Sequence, residues 1–67
     1  MQPVKSSNIE AIGYKDGVLS VKFRSGTIYD YHDVTPELHA QFMTADSHGS
    51  FFAHHIRPKF QGKKRDT

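Results

Sequence analysis

Between Ile9 and His32 the chain alternates short β-forming runs with turns that close on glycine, and this pattern leaves few folds open. The runs are Ile9-Glu10-Ala11-Ile12-Gly13-Tyr14, Val18-Leu19-Ser20-Val21-Lys22-Phe23 and Thr27-Ile28-Tyr29-Asp30-Tyr31-His32. Lys15-Asp16-Gly17 and Arg24-Ser25-Gly26 separate them. β-Branched and aromatic residues dominate the runs, so the spacing predicts an antiparallel meander of three strands. Each hairpin closes either through two residues or through three with glycine in the left-handed position. The side-chain period is two, so loop length decides which residues share a face.

Three-residue closures give the better grouping. They place Ile9, Ala11, Gly13, Leu19, Val21, Phe23, Tyr29 and Tyr31 on one face, and Glu10 opposite Lys22, a favourable cross-strand pair. The opposite face then carries Ile12, Tyr14, Val18 and Ile28 as an apolar patch among polar residues. Two short helices can cover only one face, so this patch is a candidate interaction surface.

The helices follow. Thr35 is a good N-cap and Pro36 suits the first helical position. Leu38, Phe42 and Ala45 recur at helical spacing and form a core stripe. A second helix is expected from Ser47 to about Arg57, with Phe52 and Ile56 on one face, ended by Pro58. Phe60 is expected to tuck back as a last anchor. The fold class is therefore α+β: a three-stranded antiparallel meander with two short C-terminal helices packed on one face. We divide the chain into a flexible N-terminus (1–6), a single domain (7–60) and a basic flexible tail (61–67).

A chain of 67 residues buries only about 60% of the surface its unfolded form exposes. It holds no cysteine, so neither disulfides nor thiolate metal sites stabilise it, which fits a reducing cytoplasm. No stretch approaches the roughly 20 apolar residues of a membrane span, and the first residues lack the apolar core of a signal peptide.

Charge is divided unevenly. Residues 1–56 hold four basic and six acidic side chains, whereas residues 57–67 hold Arg57, Lys59, Lys63, Lys64 and Arg65 against Asp66. A short basic segment on a slightly acidic body suits an anionic partner.

Little points to catalysis. His32, His39, His48, His54 and His55 show no helical i, i+4 pair, and a zinc site needs three or four ligands converging at about 2 Å. No Gly-x-Ser-x-Gly turn or phosphate-binding glycine loop occurs. We therefore expect no enzyme, metal or cofactor. Ser47-His48-Gly49-Ser50 with Arg57 is a candidate site for a small, nucleotide-like anion, because helix starts expose backbone N–H groups. Tyr29 and Tyr31 lie two apart on a strand and share a face, where they either pack in the core or stack bases.

The pattern Val4-x-Ser6-Ser7-Asn8-Ile9, Ile12-Gly13-Tyr14, Leu19-x-Val21-x-Phe23, Ser25-Gly26, Tyr29-x-Tyr31, Ala45-x-Ser47-x-Gly49-x-Phe51-Phe52 and Ile56-Arg57 resembles the KTSC domain family. The resemblance spans about residues 4–60, and Tyr-x-Tyr is the family's hallmark. Val34-Thr35-Pro36 departs from it, since the family has Val-Pro directly. The family occurs at the C-terminus of some lysyl-tRNA synthetases and as a stand-alone protein. From that context the resemblance implies a compact α+β domain with RNA as a suggested ligand. The residues of this chain that would serve are Arg57, Lys59, Lys63, Lys64 and Arg65 on phosphates, with Lys22, Arg24, Tyr29 and Tyr31 beside them. The alternatives are self-association or a protein partner docking on the uncovered sheet face or an open strand edge.

Overall fold

The computed structural model describes residues 1–65. It contains strands β1 (Gln2–Pro3), β2 (Ile9–Lys15), β3 (Val18–Phe23), β4 (Ile28–Tyr31) and β5 (Gly62–Lys64). Helix α1 spans Pro36–Met43, and α2 (His48–Phe51) runs into a π-helical segment over Phe52–Ile56. The strands form one antiparallel sheet in the order β1-β2-β3-β4-β5. The expected three-stranded meander is thus the centre of a five-stranded sheet. The segments read as flexible ends supply its edges: Gln2–Pro3 pairs with Ile12 and Ala11, and Gly62–Lys64 pairs with β4. The last two residues of the 61–67 tail lie outside the described residues.

The second hairpin closes through three residues, as expected. Phe23 N–H donates to Thr27 O and Gly26 N–H to Phe23 O, both at 2.9 Å. The first does not. Lys15 pairs directly with Val18, and Asp16 (φ 51°) and Gly17 (φ 80°) are both left-handed. That is the two-residue type I′ turn favoured by Asp-Gly, whose twist matches the flanking strands.

This closure shifts β2 by one residue against β3. Ile12 faces Val21 and Tyr14 faces Leu19, so Ile12 and Tyr14 point to the helices, while Ala11 and Gly13 point away. A bulge at Glu10 then restores the phase, bringing Ile9 opposite Phe23. The expected grouping therefore holds for Ile9, Leu19, Val21, Phe23, Tyr29 and Tyr31 and fails for Ala11 and Gly13. The expected outer patch is lost with it: Ile12 is fully buried, and Tyr14 stacks on His39 at 4.6 Å. The Tyr14 hydroxyl donates to Val34 O at 2.5 Å. Lys22 still meets Glu10, at 3.1 Å.

Helix α1 begins as expected, with the Thr35 hydroxyl accepting from Leu38 N–H at 3.2 Å and Pro36 at its first position. Ser47 caps α2 through Ser50 N–H at 3.2 Å. The expected helix to Arg57 widens after Phe51, and Arg57 N–H donates five residues back to Phe52 O at 2.9 Å. Pro58 has no N–H to continue it. Phe60 folds back with its N–H on Ile56 O at 2.9 Å and packs on the core. That core joins Ile9, Ile12, Leu19, Val21 and Tyr31 of the sheet to Val34, Phe42, Phe52 and Ile56.

On the helix-free face a polar latch spans β3 to β5. The Arg65 guanidinium donates from Nε to Asp30 Oδ2 (3.1 Å) and from Nη2 to Asp30 Oδ1 (2.6 Å) and Ser20 Oγ (2.9 Å). Ser20 Oγ donates to Asp30 Oδ1 at 2.6 Å. Arg65 holds the Asp30 carboxyl below its ordinary value, with help from Ser20. A carboxylate depressed in the folded state stabilises above its unfolded pKa, and that contribution is lost as pH falls through the folded pKa. Urea midpoints measured downward from about pH 4 are expected to fall less steeply in Asp30→Asn than in the parent. Parallel curves would mean that the latch adds nothing to stability.

Candidate functional site

The alternation of β4 sends Tyr29 and Tyr31 to the helix-covered side, where they meet Phe23 from β3 and Phe52 from the π-helical segment. The rings pack edge to face: Phe23–Tyr29 at 5.9 Å, Phe23–Phe52 at 5.3 Å and Tyr31–Phe52 at 5.6 Å. Such geometry is favoured by the aromatic quadrupole. Tyr31 and Phe52 are buried, whereas Phe23 and Tyr29 are half-buried. Burial pushes the Tyr31 hydroxyl pKa up, with Tyr29 adding to the effect, so it remains a neutral phenol near neutral pH.

Two hollows share the Phe23–Tyr29 wall. The smaller, about 330 Å³, is lined by Phe23, Tyr29, Tyr31, Phe52, Arg57 and Gly62. The larger, about 500 Å³, adds Ser7, Asn8, Arg24, Ser25, Thr27 and Lys64 to the shared wall. Together they form a groove with an aromatic floor and a cationic rim. Arg24 is steadied by its Nε on Ser6 O at 2.7 Å. Arg57 and Lys64 make no ion pair among the described residues.

Of the residues nominated from the sequence, the groove gathers Tyr29, Tyr31, Arg24, Arg57 and Lys64. Lys22 stands apart on the helix-free face, paired to Glu10. Arg65 is held by Asp30 in the latch. Lys59 and Lys63 line a separate hollow of about 440 Å³ with His32, Asp33, Phe60 and Gln61, because Lys63 and Lys64 alternate across β5. The candidate anion site at Ser47–Ser50 does not include Arg57. The shallow hollow there is lined by Ala45, Asp46, Ser47, Ser50, Phe51, His54 and His55, and the Ser47 hydroxyl is occupied as a cap. Ser50 Oγ and His54 Nδ1 lie 3.5 Å apart, too far for a firm hydrogen bond. Among the described residues, no three His, Asp or Glu side chains gather as a metal site, and no helix is long and apolar enough to cross a membrane.

Sequence reading missed Phe23, Phe52 and Gly62 as groove residues. Phe23 shares its face with Tyr29 by the alternation of a paired hairpin, which was the available signal. Nothing local to Phe52 or Gly62 announces the meeting.

Sheet, covering helices and groove define a small α+β domain with one helix-covered face and one open aromatic cleft. The KTSC domain model matches residues 5–60, and the chain belongs to the KTSC domain family. The crystal structure of a KTSC domain protein from Yersinia pestis superposes with a TM-score of 0.92 at 42% identity, over 97% of this chain and 94% of that one. A protein of Tsukamurella paurometabola is 40% identical over 91% of this chain and 94% of its own length. An uncharacterised protein of Stutzerimonas stutzeri is 34% identical over 84% and 82%, respectively.

Proposed function

We propose that this chain is a small non-enzymatic binding module whose ligand is RNA, held in the aromatic groove and acting in the cytoplasm. One observation carries the reading: Arg24, Arg57 and Lys64 border a cleft built from Phe23, Tyr29, Tyr31 and Phe52. Cations attract a phosphate backbone, and aromatic walls offer bases a surface to stack on. The acidic balance of residues 1–56 opposes non-specific adhesion, so affinity has to come from this local arrangement. Self-association through the helix-free face has less support, since Ile12 and Tyr14 are turned into the core and the large apolar residues left there are half-buried Val18 and Ile28 and exposed Met1 beside Gly13.

Titration of a labelled single-stranded RNA, followed by fluorescence anisotropy at two salt concentrations, tests the reading. Three phosphate contacts on a single strand give a log–log salt slope of about −2, hence roughly twentyfold weaker binding at ~200 mM than at ~50 mM salt. No binding at the lower salt, or an affinity indifferent to salt, removes RNA as the ligand.

A further inference from the structure

We infer that the groove selects an unpaired nucleotide: its base enters the cleft between Tyr29, Phe52 and Arg57, and its flanking phosphate lies against Arg24 and Lys64. This rests on the RNA reading and narrows it to single-stranded or locally open RNA.

The two hollows differ in chemistry in the way that a base and its phosphate differ. The smaller is aromatic on several sides, with one guanidinium at its edge. Its volume of about 330 Å³ is at the low end of ligand pockets, which run from about 300 to 1,000 Å³, and suits a single planar group. Arg57 can stack on such a group or donate to its edge. The larger hollow carries two cations and the hydroxyl and amide groups of Ser7, Asn8 and Thr27, donors suited to phosphate and sugar oxygens. Phe23 and Tyr29 line both, so a base and the adjoining backbone would occupy two hollows that share one aromatic wall.

A second observation points the same way. Tyr31 is only 4% exposed, yet no hydrogen bond to its hydroxyl occurs among the described residues, although that residue lines the smaller cleft. Nor is that oxygen sealed off, since the one buried side-chain polar atom without a partner among them is His48 Nδ1. Because that hydroxyl is reachable from the cleft, an entering base nitrogen or carbonyl oxygen can accept a hydrogen bond from it. In an RNA duplex the base faces are covered by stacking, so only a splayed-out base reaches aromatic walls of this kind.

The test uses the full chain and three forms of one labelled oligoribonucleotide: single-stranded, annealed to its complement, and abasic throughout the binding segment. The single strand is expected to bind about tenfold or more tighter than either other form, the range that base–aromatic stacking gives. Tyr29→Leu, checked for native circular dichroism, is expected to lower single-strand affinity about fivefold or more while leaving the weaker duplex binding unchanged, whereas Arg57→Gln, which removes one of the three rim cations, is expected to weaken both. The chain has three tyrosines and no tryptophan, so quenching of tyrosine emission by the single strand, reduced in Tyr29→Leu, reports the contact directly. Equal affinity for the single-stranded and abasic or duplex forms overturns base insertion while leaving RNA binding intact. Failure of all three forms to bind removes the RNA reading as well.

Discussion

Phe42→Ala is expected to strip the domain of a large share, or all, of its stability and to move its urea midpoint far downward. Phe42 is fully buried at the junction of α1, α2 and the sheet. Its ring stacks on Phe51 at 5.5 Å and approaches Phe52 at 6.4 Å and His48 at 6.0 Å. Truncating a buried phenylalanine to alanine costs about 3–5 kcal/mol, because the transfer term and the cavity term add. A domain of this length has roughly 3–10 kcal/mol of total stability, so one substitution removes a large share or all of it. Urea denaturation followed by far-UV circular dichroism measures the loss. Phe51→Ala, at a half-buried ring, is expected to shift the midpoint less. A Phe42→Ala variant that keeps the parental midpoint would mean that the helices contribute little by packing on the sheet.

Gly62→Ala is the second large effect, and it comes from steric overlap rather than a cavity. A methyl at Gly62 would stand 2.6 Å from Tyr31 Cε1, 2.7 Å from Cζ and 2.8 Å from the hydroxyl oxygen. Except toward the small cleft, the ring has little room to yield, since Tyr31 is buried and Phe52 packs against it at 5.6 Å. Either β5 lifts from β4 or the aromatic cluster shifts. Overpacking of this kind costs about 1–3 kcal/mol, equivalent to roughly 5–20 °C in Tm for a domain of this size. Thermal melts test it, and a double-mutant cycle locates the cause. Removing the ring with Tyr31→Leu is expected to make the added methyl much less damaging, so the two changes cost less together than the sum of their separate costs. Strict additivity would move the clash elsewhere, and an unshifted melt of Gly62→Ala would mean that β5 does not pack as described.

Much of this architecture could be read from the residues, and the parts that could not have physical reasons. Thr35-Pro36 and Ser47 marked helix starts because capping is a local event decided by one side chain and the next N–H groups. Phe42 and Ile56 were legible as core from helical spacing. In β2 the reading broke down because it assumed one alternation for the whole strand. The Asp16-Gly17 turn sets one phase and the Glu10 bulge reverses it, so Ile9 and Ile12, three residues apart, both face the helices. A bulge leaves no reliable trace in side-chain pattern. The edge strands Gln2–Pro3 and Gly62–Lys64 are too short to show a period, so they looked like loose ends. The binding residues suffered from the same limit. Arg65 counted as a free cation in the sequence because its partner, Asp30, is 35 positions away. Phe52 joins the tyrosines only through the packing of the π-helical segment.

The strand order also bears on how the molecule can be tethered. β1 and β5 are the two outer strands, so four interstrand spacings, roughly 19 Å along the sheet, separate the edge next to Met1 from the edge carrying Gly62 and Lys64. A resin, fluorophore or fused domain joined ahead of Met1 departs from the distant border and leaves the aromatic mouth accessible. One joined close behind Lys64 starts instead from the edge strand whose Lys64 lines the aromatic groove.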